Sequence, residues 1–312
     1  MVHKHIILKF LLIVLLGYSP LGLAWNSDRL GTPIVINDLI IPYPTFSMFF
    51  LPSQTFTVHF KDALNSGNLE FNGQTVAVGN ASLTAPDKPG LYPLIINNSY
   101  GKEQATISIF VLTPASQIDK NGKLNGYTIG SYPLKPLNNN PIYLPPKGFI
   151  EVTQANYKYQ ISPNFTLGQF VSKQAQGYPK YLFLRAGLLL KLENILATLN
   201  RKGLPTEGFV IMSGYRTPWY NKAIGNVPYS RHVWGGAADI YIDQDPQDGR
   251  MDDLNNDGKS NREDAVWLAN FINTMSRRGD FGNRIGGLGI YGSNSAHGPF
   301  VHVDVRGKRA RW

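Results

Sequence analysis

Three side chains in the last third of the sequence have the types and the spacing of metal ligands. His232 and Asp239 flank the stretch VWGGAA, and His302 lies in the later segment FVHVDV. A catalytic zinc site takes three protein ligands from histidine, aspartate or glutamate and leaves the fourth position to water. The glycines and alanines between His232 and Asp239 let the backbone pack closely and keep space open around both side chains. These three residues are therefore the candidate zinc ligands.

A second candidate ion site is the acidic stretch DLNNDGKSNRED. Oxygen-bearing side chains at its first, third and fifth positions, a glycine at the sixth and a carboxylate at the twelfth form an EF-hand calcium pattern. Aspartate at the twelfth position resembles the loops of extracellular dockerin-type repeats. The pattern predicts a structural calcium ion, and a solvated acidic turn is the alternative. The candidate ligands are Asp253, Asn255, Asp257, the backbone carbonyl of Lys259, Asn261 through water, and Asp264.

Helices and strands in the C-terminal half must position these residues. Leucines at helical spacing over 181–201, followed by Gly203, predict an amphipathic helix, and residues 262–278 predict a second helix ended by Gly279. The segments GFVIMSGY, AADIYI, GGLGIY and PFVHVDV predict strands. Helices and strands mixed without a βαβ rhythm indicate an α+β domain.

The N-terminal part shows a different pattern. From about Thr32 to Leu112, β-branched or aromatic runs such as TFTVHF and QATISIFVL alternate with turn signals such as NSGN and DKPG. Short strands without a helical stretch predict a small antiparallel, immunoglobulin-like β-sandwich. The Pro- and Asn-rich stretch LKPLNNNPIYLPPKG predicts an extended linker. The expected multidomain division is a β-sandwich over 25–115, a linker over 116–160 and the α+β domain over 161–312, with the calcium loop in an insertion over 243–264.

The first 24 residues have the pattern of a secretory signal peptide. A weakly basic start is followed by a leucine-rich run and by small residues at Gly22 and Ala24, which predict cleavage after Ala24. A retained membrane anchor is the alternative, but Gly17 and Pro20 interrupt the apolar run. We expect a periplasmic or extracellular protein with no stable membrane span after cleavage.

Composition narrows the classes of function. The 312 residues carry 30 Lys and Arg against 21 Asp and Glu, and they contain no cysteine. The absence of cysteine excludes disulfides, thiol catalysis and cysteine-rich zinc sites. Excess positive charge suits an anionic polymer or surface, and it equally suits a merely soluble basic protein. No basic, aromatic-interleaved motif of a nucleic-acid binder is visible in the sequence, so nucleic acid is not an expected partner.

The motifs MSGYRTPWYNKAIG, SRHVWGGAADI, GGLGIY and FVHVDVRG resemble the zinc D-alanyl-D-alanine carboxypeptidase family. That family shares a superfamily with lysostaphin-type endopeptidases and hedgehog signalling domains. The resemblance covers about Phe165 to Arg306. It implies a zinc ion held by His232, Asp239 and His302. Zinc in such a site polarises the scissile carbonyl and activates water as the nucleophile.

The resemblance also implies two substrate-binding residues. Arg216 resembles the family arginine that binds the terminal carboxylate of the substrate, and Ser230 resembles the serine that hydrogen-bonds substrate backbone. A guanidinium matches a carboxylate in a planar, bidentate way. By residue type alone, an ordinary surface salt bridge is an equal alternative for Arg216.

The sequence departs from the family pattern at the general base. The superfamily usually has a glutamate or histidine a few residues before the last zinc ligand, whereas GPFV precedes His302 here. His297 is the nearest titratable residue, and an imidazole can take up a proton near neutral pH or stabilise an oxyanion. Asp304 shares a strand face with His302 and could orient that ring from behind. His297 and Asp304 are the candidate catalytic residues.

These observations predict a secreted zinc metallopeptidase. Its expected substrates are peptidoglycan stem peptides or cross-links, cut next to a D-amino acid by carboxypeptidase or endopeptidase action. The alternative is a non-catalytic cell-wall-binding or structural protein stabilised by zinc. The missing glutamate favours that alternative, and the presence of Arg216 and Ser230 opposes it. A peptidase for ordinary L-peptides is a second alternative.

Overall fold

The computed structural model of the chain describes residues 25–79, 81–100 and 102–312. The signal peptide expected over 1–24 lies outside the described residues. Within the described part, none of the helices is long and apolar enough to cross a membrane. The fold there is mostly β, with twenty-one short strands and three α-helices.

The first nine strands form two sheets. They are β1 (Ile34–Ile36), β2 (Leu39–Ile41), β3 (Thr45–Phe50), β4 (Thr55–Phe60), β5 (Gly67–Phe71), β6 (Gln74–Ala77), β7 (Ala81–Thr84), β8 (Gly90–Asn98) and β9 (Glu103–Val111). In β4 every second residue from Phe56 to Phe60 is buried, because successive side chains of a strand point to opposite faces. The strands predicted from TFTVHF and QATISIFVL are β4 and β9.

Aromatic side chains join the two sheets. One sheet has the strand order β2-β1-β4-β7 and the other the order β3-β9-β8-β5-β6. Within them β3 and β9 pair in parallel, and the other pairs are antiparallel. Phe56 of the first sheet stacks on Phe50 of the second, with ring centroids 4.4 Å apart, and meets Phe71 edge-on at 5.7 Å.

The remaining elements build the C-terminal half. They are β10 (Thr113–Pro114), β11 (Lys123–Leu124), β12 (Tyr127–Thr128), β13 (Gly148–Val152), β14 (Gln160–Ser162), β15 (Phe165–Thr166), β16 (Lys180–Leu182), α1 (Ala186–Arg201), β17 (Val210–Ser213), α2 (Pro218–Ala223), β18 (Ala237–Tyr241), α3 (Arg262–Arg278), β19 (Gly287–Tyr291), β20 (Phe300–Asp304) and β21 (Ala310–Arg311). A five-stranded sheet of order β17-β18-β20-β19-β21 forms the centre of this half, and α3 packs against β19 and β20.

The helices follow the sequence pattern with one shortened start. The leucine-rich helix begins at Ala186 rather than at Tyr181, because Tyr181 pairs with Glu151 in a strand and donates its hydroxyl to the Glu151 carboxylate at 2.6 Å. The second predicted helix is α3, which Asn261 caps at its start and Gly279 ends in the left-handed conformation.

A third helix, α2, was not predicted. Thr217 caps it by accepting a hydrogen bond from the Tyr220 amide at 3.0 Å, and Pro218 occupies its first position. A threonine followed by proline is a helix-start signal. The six-residue length of α2 hides any hydrophobic periodicity.

The N-terminal sheets touch the C-terminal half directly. Strand β3 contacts β14 and α1, the Tyr159 hydroxyl lies 2.7 Å from Ser108 Oγ, and the Tyr159 ring meets Phe110 edge-on. Buried apolar side chains of the described residues form a connected cluster that runs from β1 to β20. The domain boundaries at residues 115 and 160 stay a prediction.

Candidate metal centre

Strand pairing brings two of the three candidate ligands together. β18 and β20 run antiparallel with Asp239 directly opposite His302, and directly opposed residues project from the same face of a sheet. His232 lies in a 3-10 turn, Arg231–Trp234, that leads into β18. The loop from the turn to the strand therefore carries His232 back to the pair.

The glycines after this turn have a backbone reason. Gly235 has a φ of +56°, and a Cβ there would lie 2.1 Å from the Phe183 carbonyl oxygen. A Cβ on Gly236 would lie 2.9 Å from the Arg231 side chain. The positive φ favours glycine at position 235, because other residues avoid this conformation. The close approach of the Phe183 backbone also leaves no room there for a Cβ.

The three ligand atoms lie close together in the interior. His232 Nε2 is 3.1 Å from Asp239 Oδ1 and 3.1 Å from His302 Nδ1, and His302 Nδ1 is 2.9 Å from Asp239 Oδ1. All three residues are buried. Tetrahedral zinc with bonds of ~2.0–2.1 Å holds its ligand atoms about 3.3 Å apart. The spacing and the two-nitrogen, one-oxygen donor set therefore fit a zinc ion.

The outer nitrogens of both imidazoles have acceptors. His232 Nδ1 lies 2.7 Å from the Gly214 carbonyl oxygen, and His302 Nε2 lies 3.2 Å from Asp304 Oδ2. With protons on these outer nitrogens, each ring donates away from the site and turns its lone pair inward. Such acceptors fix the tautomer and the orientation of metal-binding histidines.

Asp304 stands behind His302 and outside the cavity wall. Its buried carboxylate accepts hydrogen bonds from the Gly287 amide at 2.8 Å and from Arg306 Nη2 at 2.5 Å. Burial by itself would raise the pKa of Asp304, but the hydrogen bonds from His302 and Arg306 outweigh it and hold the pKa well below its usual range. Asp304 was predicted either to take part in catalysis or to orient His302. Its position behind the ring suits the orientation of His302.

Burial and neighbouring groups shift the pKa values of the three inner ligands in different directions. Burial would raise the pKa of Asp239, but interactions with His232 and His302 outweigh it and hold that pKa well below its usual range. Burial lowers the pKa of His232. Burial also acts to lower the pKa of His302, but hydrogen bonds to Asp239 and Asp304 raise it above its usual value. A proton therefore competes with a metal ion mainly at His302.

A cavity of about 880 Å³ opens beside the metal position. It brings together most of the residues that the sequence singled out for the zinc site. The lining residues among them are Arg216, Ser230, His232, Asp239, His297 and His302.

Arg216 is engaged within the protein. Its Nη2 donates to Asp239 Oδ2 at 2.6 Å, and its Nε donates to Ser213 Oγ at 2.8 Å. Only 12% of its side chain is exposed. The guanidinium therefore fixes the carboxylate that faces the metal position.

His297 is half-buried in the loop before β20. Its Nε2 lies 2.8 Å from Asn294 Nδ2, and its Nδ1 lies 2.8 Å from the Gly298 carbonyl oxygen. The ring meets Phe300 edge-on at 4.9 Å. With the proton on Nδ1, the Nε2 lone pair accepts from the Asn294 amide, and this hydrogen bond must open before His297 can take up a proton.

A sequence profile of the family described as Peptidase M15 matches residues 170–257. Residues 170–257 are therefore similar to the peptidase M15 family. The matched region contains Arg216, His232 and Asp239 and ends before His302, which the pairing of β20 with β18 supplies. No curated protein matches the chain. The family supports a metallopeptidase hydrolase, and the buried His–Asp–His group is a site where its metal ion could bind.

A segment ahead of the M15 match forms one wall of the cavity. Residues 130–144, which we call the strap, contribute Leu137 and Tyr143 to the lining. The Tyr143 ring also meets buried Trp234 edge-on at 5.3 Å. The sequence predicted an extended linker here because Pro and Asn dominate its composition. The apolar residues within that stretch were the only signal of its packing.

Hydrogen bonds fasten the strap to the turn that carries His232. Arg185 Nη2 and Arg231 Nη1 donate to the Ile142 carbonyl oxygen at 3.0 Å and 3.3 Å. Trp234 Nε1 donates to the Leu144 carbonyl oxygen at 3.1 Å. Two of the three donors lie within two residues of His232, so the strap supports the turn that carries this candidate ligand.

The predicted calcium loop is closed by its own hydrogen bonds. Asp264 is fully buried, and its carboxylate accepts from the Leu254 amide at 2.8 Å and from the Asn261 amide at 2.7 Å. The Asp253 carboxylate accepts from the amides of Asp257 and Gly258 at 3.1 Å and 2.6 Å. The Asp264 carboxylate, at the twelfth position of the pattern, thus accepts hydrogen bonds from backbone amides of the loop and of the residue that caps α3.

Calcium coordination by the predicted ligands is not supported. Within the described part of the chain, the zinc-site residues are the only three His, Asp or Glu side chains grouped closely enough to hold a metal. The expectation missed that Asp264 satisfies buried backbone amides, which a loop pattern cannot reveal. The six residues of the expected site are Asp253, Asn255, Asp257, Lys259, Asn261 and Asp264.

Removing an inner ligand should abolish metal binding. We expect His232→Ala and Asp239→Ala to lose the zinc of the parent protein, because two remaining ligands do not complete a zinc site. Plasma mass spectrometry of purified protein measures the zinc content. His297→Ala is the matched control, because His297 lines the same cavity without facing the other ligands, and it should keep its zinc. Full zinc content in either ligand variant would refute the assignment.

Asp264→Ala should destabilise the protein whether or not calcium is present. Loss of a buried acceptor leaves backbone amides unsatisfied and costs about 1–3 kcal/mol of unfolding free energy. Chemical denaturation in calcium and in chelator measures the change, with exposed Asp257→Ala as the control that stays close to the parent. A calcium-dependent stabilisation of the parent that Asp264→Ala removes would restore the calcium site.

Trp234→Phe should loosen the attachment of the strap. The variant loses the hydrogen bond to Leu144 and leaves a gap among the aromatic rings, so we expect a loss of about 1–3 kcal/mol. Zinc should also leave it faster on dialysis against chelator. Trp219→Phe, at a half-exposed ring, should change the unfolding free energy by less than about 0.5 kcal/mol. Unchanged zinc release in Trp234→Phe would show that the strap does not support the metal-binding turn.

Proposed function

We propose that this protein is a zinc-dependent peptidase that hydrolyses peptidoglycan stem peptides or their cross-links next to a D-amino acid. One observation carries the proposal: three buried ligand atoms, each within 3.1 Å of the others, lie in the wall of a cavity of about 880 Å³. An M15 profile match over the same region supports a metallopeptidase. The choice of peptidoglycan and of a D-amino acid rests on the family resemblance.

The side chains of the site divide the work. His232, Asp239 and His302 would hold the metal, and zinc supplies Lewis acidity that polarises a carbonyl and activates water near neutral pH. Arg216 fixes the outer oxygen of Asp239 and lines the cavity, where its positive charge would stabilise negative charge on a substrate. Ser230 lines the cavity and would hydrogen-bond the substrate backbone.

Proton transfer falls to His297 in this proposal. Within the described residues, Asp239 is the only carboxylate that lines the cavity, and it is committed to the metal position. His297 is the lining histidine that remains outside the metal group. Its imidazole would accept a proton at Nε2 once the hydrogen bond from Asn294 opens.

The lack of a second carboxylate also favours a second candidate function. The protein could be a non-catalytic, zinc-stabilised cell-wall-binding or structural protein. A structural zinc site is closed by a fourth protein ligand, whereas an enzyme leaves the fourth position open. The cavity beside the three ligands supports the enzyme.

The remaining parts fit an exported protein. We propose cleavage of the signal peptide and a periplasmic or extracellular location, where peptidoglycan is accessible. The two N-terminal sheets would form an immunoglobulin-like β-sandwich over 25–115, which either docks onto the wall or acts as a spacer. The net positive charge of +9 supports association with an anionic wall polymer.

Cleavage of defined peptides tests the function. We expect zinc-loaded protein to release D-alanine from a stem peptide ending in D-Ala-D-Ala, or to split a cross-linked dimer, with loss of activity in chelator and recovery with zinc. Mass spectrometry of the products identifies the bond. A matched peptide ending in L-Ala-L-Ala separates D-specific from ordinary peptidases, and His232→Ala controls for contaminating hydrolases.

His297→Ala in the same assay tests the proton-transfer role. We expect kcat to fall by about 10²–10⁴-fold and the acidic limb of the pH–rate profile to move. An unchanged profile would assign the proton transfer elsewhere. Zinc-replete parent protein that cleaves none of the peptides would favour the wall-binding alternative.

A further inference from the structure

The cavity carries an excess of positive charge. Lys173, Arg216, Arg231 and Arg306 line it, and Asp239 is the only carboxylate in its wall among the described residues. A cleft lined by one sign of charge attracts ligands of the opposite sign. The cavity therefore favours an anionic ligand even beside a metal ion.

Two arginines of the cavity already form ion pairs within the protein. Arg216 pairs with Asp239 at 2.6 Å and Arg306 pairs with Asp304 at 2.5 Å. Arg231 is 2% exposed, which keeps its guanidinium away from a ligand in the cavity. A ligand that displaced Asp239 from Arg216 or Asp304 from Arg306 would disturb ion pairs that hold a zinc ligand or its support.

Lys173 is the lining cation that stays available. Its ammonium forms no hydrogen bond or ion pair with any residue that the structure describes, and the residue is exposed toward the cavity. Partial desolvation lowers the pKa of Lys173, Asp239 raises it and Arg216 lowers it. The Lys173 ammonium is therefore close enough to Asp239 and Arg216 for their charges to affect its pKa.

The backbone of Lys173 is fixed on both sides. Ser172 and Gln174 are buried. The side-chain amide of Gln174 donates through Nε2 to the Thr128 carbonyl oxygen at 2.9 Å and accepts through Oε1 from the Thr217 hydroxyl at 2.5 Å. Alternation of buried and exposed residues turns the lysine toward the cavity, and Gln174 ties it to the residue that follows Arg216.

A second contact joins the same two segments. The Tyr215 amide donates to the Phe170 carbonyl oxygen at 2.9 Å. A Cβ on Gly214 would lie 2.6 Å from the Phe170 Cα, so the two backbones touch where glycine permits it. The segment that bears Lys173 is thereby held against the loop that bears Arg216.

We propose that Lys173 forms an anion subsite that binds a carboxylate of the substrate beside the metal position. This proposal rests on the proposed peptidase function, because the subsite would position a substrate peptide for cleavage of its scissile bond. The ammonium can take a carboxylate without breaking an ion pair of the protein. The carboxylate belongs either to the C-terminus of the peptide or to an acidic side chain near the scissile bond.

Binding of matched small ligands to the zinc-loaded full-length protein tests the subsite. The first pair is N-acetyl-D-alanine and its amide, which differ only in a terminal carboxylate. The second pair is N-acetyl-D-glutamic acid 1-amide and N-acetyl-D-glutamine amide, which differ only in a side-chain carboxylate. NMR titration gives the four dissociation constants. We expect one pair to show about fivefold tighter binding of the acid, and that pair identifies the source.

Three variants separate the subsite from general charge effects. Lys173→Met should abolish the preference for the acid, and Lys173→Arg should keep most of it. Lys222→Met removes an exposed lysine of α2 that does not line the cavity, and it should keep the full preference. An unchanged preference in Lys173→Met overturns the proposal, since the metal or Arg216 would then bind the carboxylate. Equal or undetectable binding of acid and amide to the parent overturns it as well.

The peptide cleavage assay distinguishes the two proposals. A Lys173-dependent preference in a protein that cleaves no peptide would retain the subsite and remove the peptidase. Cleavage with a preference independent of Lys173 would remove the subsite and retain the peptidase. In an active enzyme, Lys173→Met should raise KM for the acid substrate about fivefold while kcat changes little.

Discussion

The structure depends on three lone pairs that face one another in the interior. Both imidazoles donate their outer protons to other acceptors, so His232 Nε2, His302 Nδ1 and Asp239 Oδ1 all meet as acceptors. Buried acceptors at such distances repel one another unless a cation or a proton lies between them. The protein thus holds an arrangement that a metal ion stabilises, and its neighbours resist relaxation of that arrangement.

Support for the ligands extends far from the metal position. Asp304 orients His302, and its backbone carbonyl accepts a hydrogen bond from Lys191 of α1 at 2.7 Å. Burial lowers the pKa of Lys191 to about 8, and its ammonium also lies 4.7 Å from the centroid of the Phe281 ring. On the other side, Arg216 fixes the outer oxygen of Asp239. The central sheet, α1 and the Arg216 loop therefore act together on one small group of atoms.

Residues outside the M15 match complete the wall of the cavity. The match covers residues 170–257, whereas His302, His297 and the strap all lie beyond it. The strap attaches through its carbonyl oxygens to arginine and tryptophan donors around His232. Because the strap attaches through its backbone carbonyl oxygens, the attachment does not depend on the side chains of the strap. Leu137 and Tyr143 of the strap line the cavity, where they would contact a substrate.

Local patterns in the sequence were enough to predict several elements and part of the candidate site. The alternation in TFTVHF predicted β4, the helical run that ends at Gly279 predicted α3, and the spacing of His232 and Asp239 indicated the metal site. These patterns are local because strand alternation, helix capping and short-range spacing act within a few residues. Contacts between groups far apart in the sequence could not be predicted in this way and are seen in the folded structure. It paired Asp239 with His302 across two strands, turned the Asp264 carboxylate toward backbone amides, and packed the expected linker against Trp234. Such contacts depend on the register of the sheet and on buried hydrogen-bond partners, and a one-residue change of register would reverse every side chain of a strand.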